Sequence, residues 1–169
     1  MLDDHWAMLQ DEEVLRLTGT HSRFTREQVA VYLESRPAQH DRADWAAIRI
    51  EDDAYLGEAV VNELDVDNAA ASYRIALAGR HLFGRGYGTE ITRLVLDFVF
   101  SATPLHRLSL EVYDVNPRAR TVYEKCGFQL EGRLRDALLW DGERHDALVM
   151  SVLRSDLHRR LPGLGADPS

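Results

Sequence analysis

Residues 81–90 read HLFGRGYGTE, with Gly84, Gly86 and Gly88 at alternate positions. Glycine weakens helices and strands because it has the most backbone freedom to lose on ordering. Three of them together mark a sharp turn, or a place where something must approach the backbone. Both flanks are regular. AASYRIALAG, residues 70–79, alternates as a strand, with Tyr73, Ile75 and Leu77 on one face and Arg74 on the other. TEITRLVLDFVFSA, residues 89–102, repeats Ile91, Leu94, Val95, Phe98 and Val99 at helical spacing, which predicts one buried stripe. A strand, a glycine turn and a helix in that order place the chain in the α/β class. Such a turn is a natural anion site, because free N–H groups and the helix dipole both favour negative charge there.

The rest of the chain supplies the other layers. TREQVAVYLESRP, residues 25–37, predicts a helix opened by a Thr25–Gln28 capping box and stopped at Pro37. WAAIRIEDD and AYLGEAVVNELDVDN predict two strands joined at the acidic turn 51–53, with a second turn at Asp65–Asn68. HRLSLEVYDV, residues 106–115, is a further strand. NPRARTVYEKCGF is a helix capped by Asn116, with Pro117 at its first position and Gly127 at its exit. Its apolar face carries Ala119, Val122, Tyr123 and Cys126. DALLWDGERHDALVMSVL, residues 136–153, predicts a hairpin turning at Asp141–Gly142. These elements predict a single domain over residues 1–160, with 161–169 as a flexible tail.

Composition narrows the partners. The chain has 169 residues, 45% hydrophobic and 28% charged, which suits one domain with its own core. No apolar run reaches the length of a membrane span, and the first twenty residues lack the pattern of a secretion signal. A single cysteine, Cys126, excludes an internal disulfide. We read the chain as cytoplasmic, with no membrane partner. A net charge of −8 with scattered arginines argues against nucleic acid; such acidity more often serves solubility than a cationic partner, and both readings stay open. The seven histidines show no metal-ligand spacing, so no metal is expected. Cys126, on an apolar helix face, reads as a small buried side chain rather than a nucleophile.

Two common phosphate motifs fail on residues 84–89. The P-loop needs Gly-Lys-Ser/Thr, which is absent, and the dinucleotide fingerprint G-x-G-x-x-G is broken at Thr89. A compact turn remains, with Arg80 and Arg85 beside it. It is followed downstream by N-x-x-A-x-x-x-Y-x-K-x-G-F, carried by Asn116, Ala119, Tyr123, Lys125, Gly127 and Phe128.

The two motifs in this order resemble the GNAT superfamily of N-acetyltransferases over roughly residues 45–155. The branch most similar to the chain contains ribosomal-protein N-terminal and spermidine acetyltransferases. The family's Q/R-x-x-G-x-G/A motif falls on Phe83, Gly86 and Gly88. The resemblance implies a mixed, mostly antiparallel sheet with two splayed parallel central strands, flanked by helices. It implies acetyl-CoA as cosubstrate, lying in the opening between those strands. Its pyrophosphate would rest on the backbone N–H groups of residues 83–89, that is Phe83, Gly84, Arg85, Gly86, Tyr87, Gly88 and Thr89. Its pantetheine arm would pair with Ala76, Leu77 and Ala78 like an added strand, and reach Asn116 and Ala119. Tyr123 would direct its hydroxyl at the thioester sulfur as general acid. The reaction implied is direct transfer of acetyl to a primary amine, either a small cationic amine or a peptide N-terminus.

An alkyl amine has a pKa of roughly 10.4 and must lose a proton before it attacks. Glu63 and Glu111 are the candidate bases. Family members often carry a carboxylate early in the strand before the glycine turn, but Ser72-Tyr73-Arg74 has none, which leaves a water chain as the alternative. Two further departures stand: Phe83 replaces Gln or Arg, and the family's usual first strand is missing. Against the family pattern, either the start is truncated or the sheet edge is completed otherwise, for instance by a second copy of the chain, since an open edge is a pairing liability. The acceptor pocket is expected from the first helices and the 136–150 hairpin, with Trp6, Trp45, Trp140, Asp136, Asp141, Glu143 and Asp146, and with His145 at its border. Two other classes remain open: a non-catalytic CoA-binding regulator, and an α/β module that binds another nucleotide phosphate.

Overall fold

A computed structural model describes residues 1–160, with side chains placed through Leu157. The expected tail lies outside the described residues. The chain opens with three helices, α1 (Leu2–Met8), α2 (Glu12–Thr18) and α3 (Arg26–Ser35). Three strands follow: β1 (Ala43–Ile48), β2 (Tyr55–Asp65) and β3 (Ala70–Leu77). Then come α4 (Tyr87–Ala102), β4 (Arg107–Tyr113), α5 (Pro117–Cys126), β5 (Gln129–Trp140), β6 (Glu143–Leu153) and α6 (Arg154–Arg160). The six strands form one sheet in the order β1-β2-β3-β4-β6-β5. Every neighbouring pair is antiparallel except β3 and β4.

That parallel pair sets the shape of the molecule. β3 and β4 are in register only at Ala70–Arg107, Ala71–Leu108 and Ser72–Ser109. Beyond Ser72, β3 continues to Leu77 paired with β2 alone, and β4 continues to Tyr113 paired with β6 alone. The two strands therefore part in mid-sheet, as the sequence resemblance implied. On one face α4 and α5 pack over a core that includes Ala59, Val61, Tyr73, Val95, Leu108, Leu110, Tyr123 and Met150.

Local punctuation behaves as expected in most places. The Thr25–Gln28 capping box forms in both directions. Asn116 Oδ1 accepts from Ala119 N at 3.1 Å, and Gly127 leaves α5 in the left-handed region at φ 104°. Asp141 and Gly142 both have positive φ, the signature of a tight two-residue hairpin, though the strands it joins run longer than 136–153. The stripe on α4 is rotated from expectation. Ile91, Val95 and Val99 are buried, but so are Leu96, Phe100 and Thr92, whereas Leu94 is 63% exposed and Phe98 52%. Thr92 can be buried because its hydroxyl donates to Gly88 O and meets the Tyr73 hydroxyl at 3.0 Å.

An ionic tie holds the far half of the sheet. Arg107 on β4 pairs with Glu131 on β5, and Ser151 on β6 donates to Glu131 Oε1 at 2.7 Å. The Arg107 hydrogen bond, then that of Ser151, lowers the Glu131 carboxyl from its usual 4.5 to about 2. A depressed acid stabilises the fold above its unfolded pKa and loses that contribution as pH falls through the folded one. Glu131→Gln should therefore reduce stability at pH 7, by less than ~1 kcal/mol because the pair is part-exposed. In urea titrations the gap to wild type should close as pH falls from 4.5 to about 2. A gap that persists unchanged at acid pH would show that charge is not its source.

Candidate active site

The opening between β3 and β4 is a cavity of about 800 Å³. Its walls include Tyr73–Leu77 from β3, Ser109–Tyr113 from β4, Phe83, Gly84 and Gly86–Thr89 from the glycine turn and α4, and Asn116, Ala119 and Tyr123 from α5. Thus most of the residues expected at a site do converge. Ala78 and Arg85 are not among the lining residues, and Ala78 N–H is taken up by Leu56 O at 2.9 Å.

The glycine turn exposes its backbone. Gly84 and Gly86 lie in the left-handed region, at φ 74° and 90°, and a Cβ built on either would meet nothing within 4 Å. These glycines serve the path of the chain, not close internal packing. Phe83 N–H donates to Arg80 O and Thr89 N–H to Gly86 O, both at 3.0 Å. Between them, no backbone acceptor takes the N–H groups of residues 84–88 among the described residues. Five unpaired donors at the start of a 16-residue helix form a concave anion cradle. The free edge of β3 from Tyr73 to Leu77 offers further unpaired backbone groups in the same cavity. Both features fit a ligand with a phosphate end and an extended amide-bearing arm.

Tyr123 stands on the α5 side of the cavity and is only 6% exposed. Its ring is edge-on to Tyr73 and tilted against Phe128. Burial pushes its phenol above the usual range, which keeps the proton on. A carboxylate does stand beside β3, on the neighbouring strand β2. β2 bulges after Asn62, Glu63 takes a left-handed φ of 55°, and Ser72 Oγ donates to Glu63 Oε2 at 2.5 Å. Glu111 lines the same cavity from β4.

The acceptor-side expectation needs correcting. None of the three tryptophans, nor Asp136, Asp141, Glu143, Asp146 or His145, lines the cavity. Trp6 Nε1 donates to Phe24 O, Trp45 lies edge-on to Phe98, and Trp140 stacks on His21. Asp146 accepts from Asp136 N and pairs with Arg133, while His145 faces Asp114 at 3.5 Å. Of the hairpin acids, Asp146 is thus occupied with bracing β5 against β6. Instead Val14, Leu17 and Thr18 of α2 close this side. Helix α2 has no stripe long enough to show periodicity, but its ends are legible. Asp11 caps Glu13 N and Val14 N, and Gly19 ends it at φ 65°. A Cβ on Gly19 would sit 2.5 Å from the Tyr113 ring, so this exit seats α2 against β4.

Comparison with known proteins follows the same lines. Residues 2–129, most of the chain, match the acetyltransferase (GNAT) domain family. The chain belongs to the GNAT family. The spermidine N(1)-acetyltransferase of Vibrio cholerae is 31% identical over 100 residues, 59% of this chain and 57% of the relative. That of Escherichia coli is 25% identical over 115 residues, 68% of this chain and 61% of the relative. In both cases the match spans less than two thirds of the relative's length. A Vibrio cholerae spermidine N-acetyltransferase solved in complex with CoA and spermine superposes with a TM-score of 0.85 at 19% identity. That superposition covers 92% of this chain and 90% of the other. A GNAT acetyltransferase from Bacillus anthracis gives a TM-score of 0.78 at 18% identity, covering 91% and 89%. These likenesses establish a GNAT fold built around the parted strands.

Within this GNAT domain, no group of three or more His, Cys, Asp or Glu among the described residues is placed to hold a metal ion. No helix among them is long and apolar enough to cross a membrane.

Proposed function

We propose that the chain transfers an acetyl group from acetyl-CoA to a primary amine, with both substrates bound together. The observation that carries this reading is the parted β3–β4 cavity, which joins the bare N–H groups of Gly84, Gly86, Tyr87 and Gly88 to a buried tyrosine and to two carboxylates. Acetyl-CoA supplies an activated thioester carbonyl. Gly84, Arg85, Gly86, Tyr87 and Gly88 would hold its pyrophosphate through backbone N–H groups, and Ala76 and Leu77 its pantetheine arm. Asn116 uses its side-chain oxygen to cap α5 and keeps its amide N–H₂ for the same arm. Tyr123 donates a proton to the departing sulfur. Glu63, held by Ser72, takes the proton that the amine must lose, and Glu111 is the second candidate for that role.

Spermidine is the first acceptor to test, because spermidine acetyltransferases are among the relatives. A peptide N-terminus is the second. The free edge of β1 is where a second copy of the chain would pair. The activity test is release of free thiol from acetyl-CoA, with calorimetric titration of acetyl-CoA, ATP and NAD alongside. We expect one-site binding of acetyl-CoA alone and thiol release that depends on the amine. Tight binding with no transfer to any amine would instead identify a CoA-binding regulator. Binding of ATP or NAD without acetyl-CoA would identify a different nucleotide module.

A further inference from the structure

We propose that Asn62 receives the reacting amine, its side-chain oxygen accepting an N–H from the acceptor and so orienting the nitrogen. The inference rests on the amine-acetylation reading above and adds a specificity residue to it. Asn62 lines the cavity, yet its Oδ1 is buried and has no hydrogen-bond partner among the described residues. Buried amide oxygens are nearly always paired, because leaving one bare forfeits its bond to water. No other side-chain N or O atom among the described residues combines burial with a missing partner in this way.

The nearest hydroxyls do not supply the missing donor. Asn62 pairs across the ladder with Ser72, whose hydroxyl donates to Glu63. The next hydroxyl along, that of Ser109, reaches Ala71 O. Glu63 and Glu111 are carboxylates, which accept when ionised. Arg74, one pair along the ladder on the same face, also lines the cavity, yet it does not donate to Asn62 Oδ1 either. That oxygen is therefore left open to an incoming donor. A primary amine or its ammonium form brings two or three N–H groups.

Position separates this atom from the cofactor side. Val61 and Tyr73 are paired, and both belong to the core under α4 and α5. One residue further along each strand, Asn62 and Ser72 therefore project from the opposite face of the sheet. An amine held at Asn62 lies beside Glu63, which follows it on the bulge, and enters the opening from the face away from that core.

The test compares wild type with Asn62→Ala and Asn62→Asp, using spermidine and a tetrapeptide with a free N-terminus as acceptors. Losing a hydrogen bond to a charged donor should raise the amine KM about tenfold or more in Asn62→Ala. Acetyl-CoA affinity should stay within twofold. Asn62→Asp, which keeps oxygen acceptors at the same place, should restore KM toward wild type. Because no internal bond is lost, the melting temperature of Asn62→Ala should not fall. An unchanged amine KM in Asn62→Ala overturns the proposal while wild-type turnover stands. So does a parallel loss of acetyl-CoA affinity, which would make Asn62 a cofactor contact, or a marked drop in melting temperature, which would reveal a structural bond. If wild type acetylates neither probe, and its CoA complex binds neither by calorimetry, the amine reading itself fails and this inference with it.

Discussion

Tyr123→Phe should lower kcat about a hundredfold while leaving acetyl-CoA affinity within twofold. A well-placed general acid contributes roughly 10²–10⁴ to a rate, and removing one oxygen from this side chain removes the acid alone. The substitution is clean for structural reasons. The Tyr123 hydroxyl makes no hydrogen bond to the described residues, and what holds the ring is its contact with Tyr73 and Phe128, which phenylalanine keeps. Melting temperature should therefore barely change, and a loss of rate can be assigned to chemistry. The direction of its proton affinity adds a second check. Burial raises the phenol above its usual value, so the acidic form persists to higher pH than in a free tyrosine. Wild-type kcat should not decline on the alkaline side up to about pH 10, the ordinary tyrosine value. A kcat change under threefold in Tyr123→Phe would remove the residue from the mechanism and leave the thiolate to depart without it.

Gly57→Ala should destabilise the fold by about 3 kcal/mol and weaken acetyl-CoA binding with it. Gly57 sits inside β2, between Ala47 on β1 and Leu77 on β3. Its φ of 142° lies where side chains are rarely tolerated, and a Cβ there would stand 2.0 Å from Ala76 O and 2.9 Å from Leu77 Cα. Both obstacles are backbone, so no rotamer change relieves them, and β3 itself must move. The displaced residues are two that line the cavity. Urea denaturation measures the first effect and calorimetry the second. An unchanged urea midpoint would mean that β2 and β3 can separate locally at little cost. Loss of stability with full acetyl-CoA affinity would mean that Ala76 and Leu77 are not part of the cofactor's seat.

Local chemistry was legible wherever one residue type satisfies a backbone need within a few positions. Thr25 with Gln28, Asn116 with Pro117, Gly127, and Asp141 with Gly142 each announce a cap or turn, and each forms. The same logic was available for α2, bounded by Asp11 and Gly19, but a seven-residue helix has too few turns to show a stripe. The α4 stripe was misplaced because periodicity tells how often a face recurs and not which neighbour covers it. Leu94 and Phe98 continue the pattern, yet the sheet lies nearer Thr92, Leu96 and Phe100.

The candidate site divides along the same line. From its residues alone the chain determined the strand, glycine turn and helix, the capped helix that carries Tyr123, and through them the GNAT family. These depend on contacts a few residues apart, which leave periodic or punctuated traces. Only the tertiary structure decided what faces the acceptor. It brought Glu63 of β2 to Ser72 of β3, left Asn62 Oδ1 bare, and turned Asp146 of the hairpin into a pair with Arg133. Those outcomes depend on sheet register, on one bulge and on the point where β3 and β4 part. Register is a relation between strands far apart in the chain, and no single stretch of sequence records it.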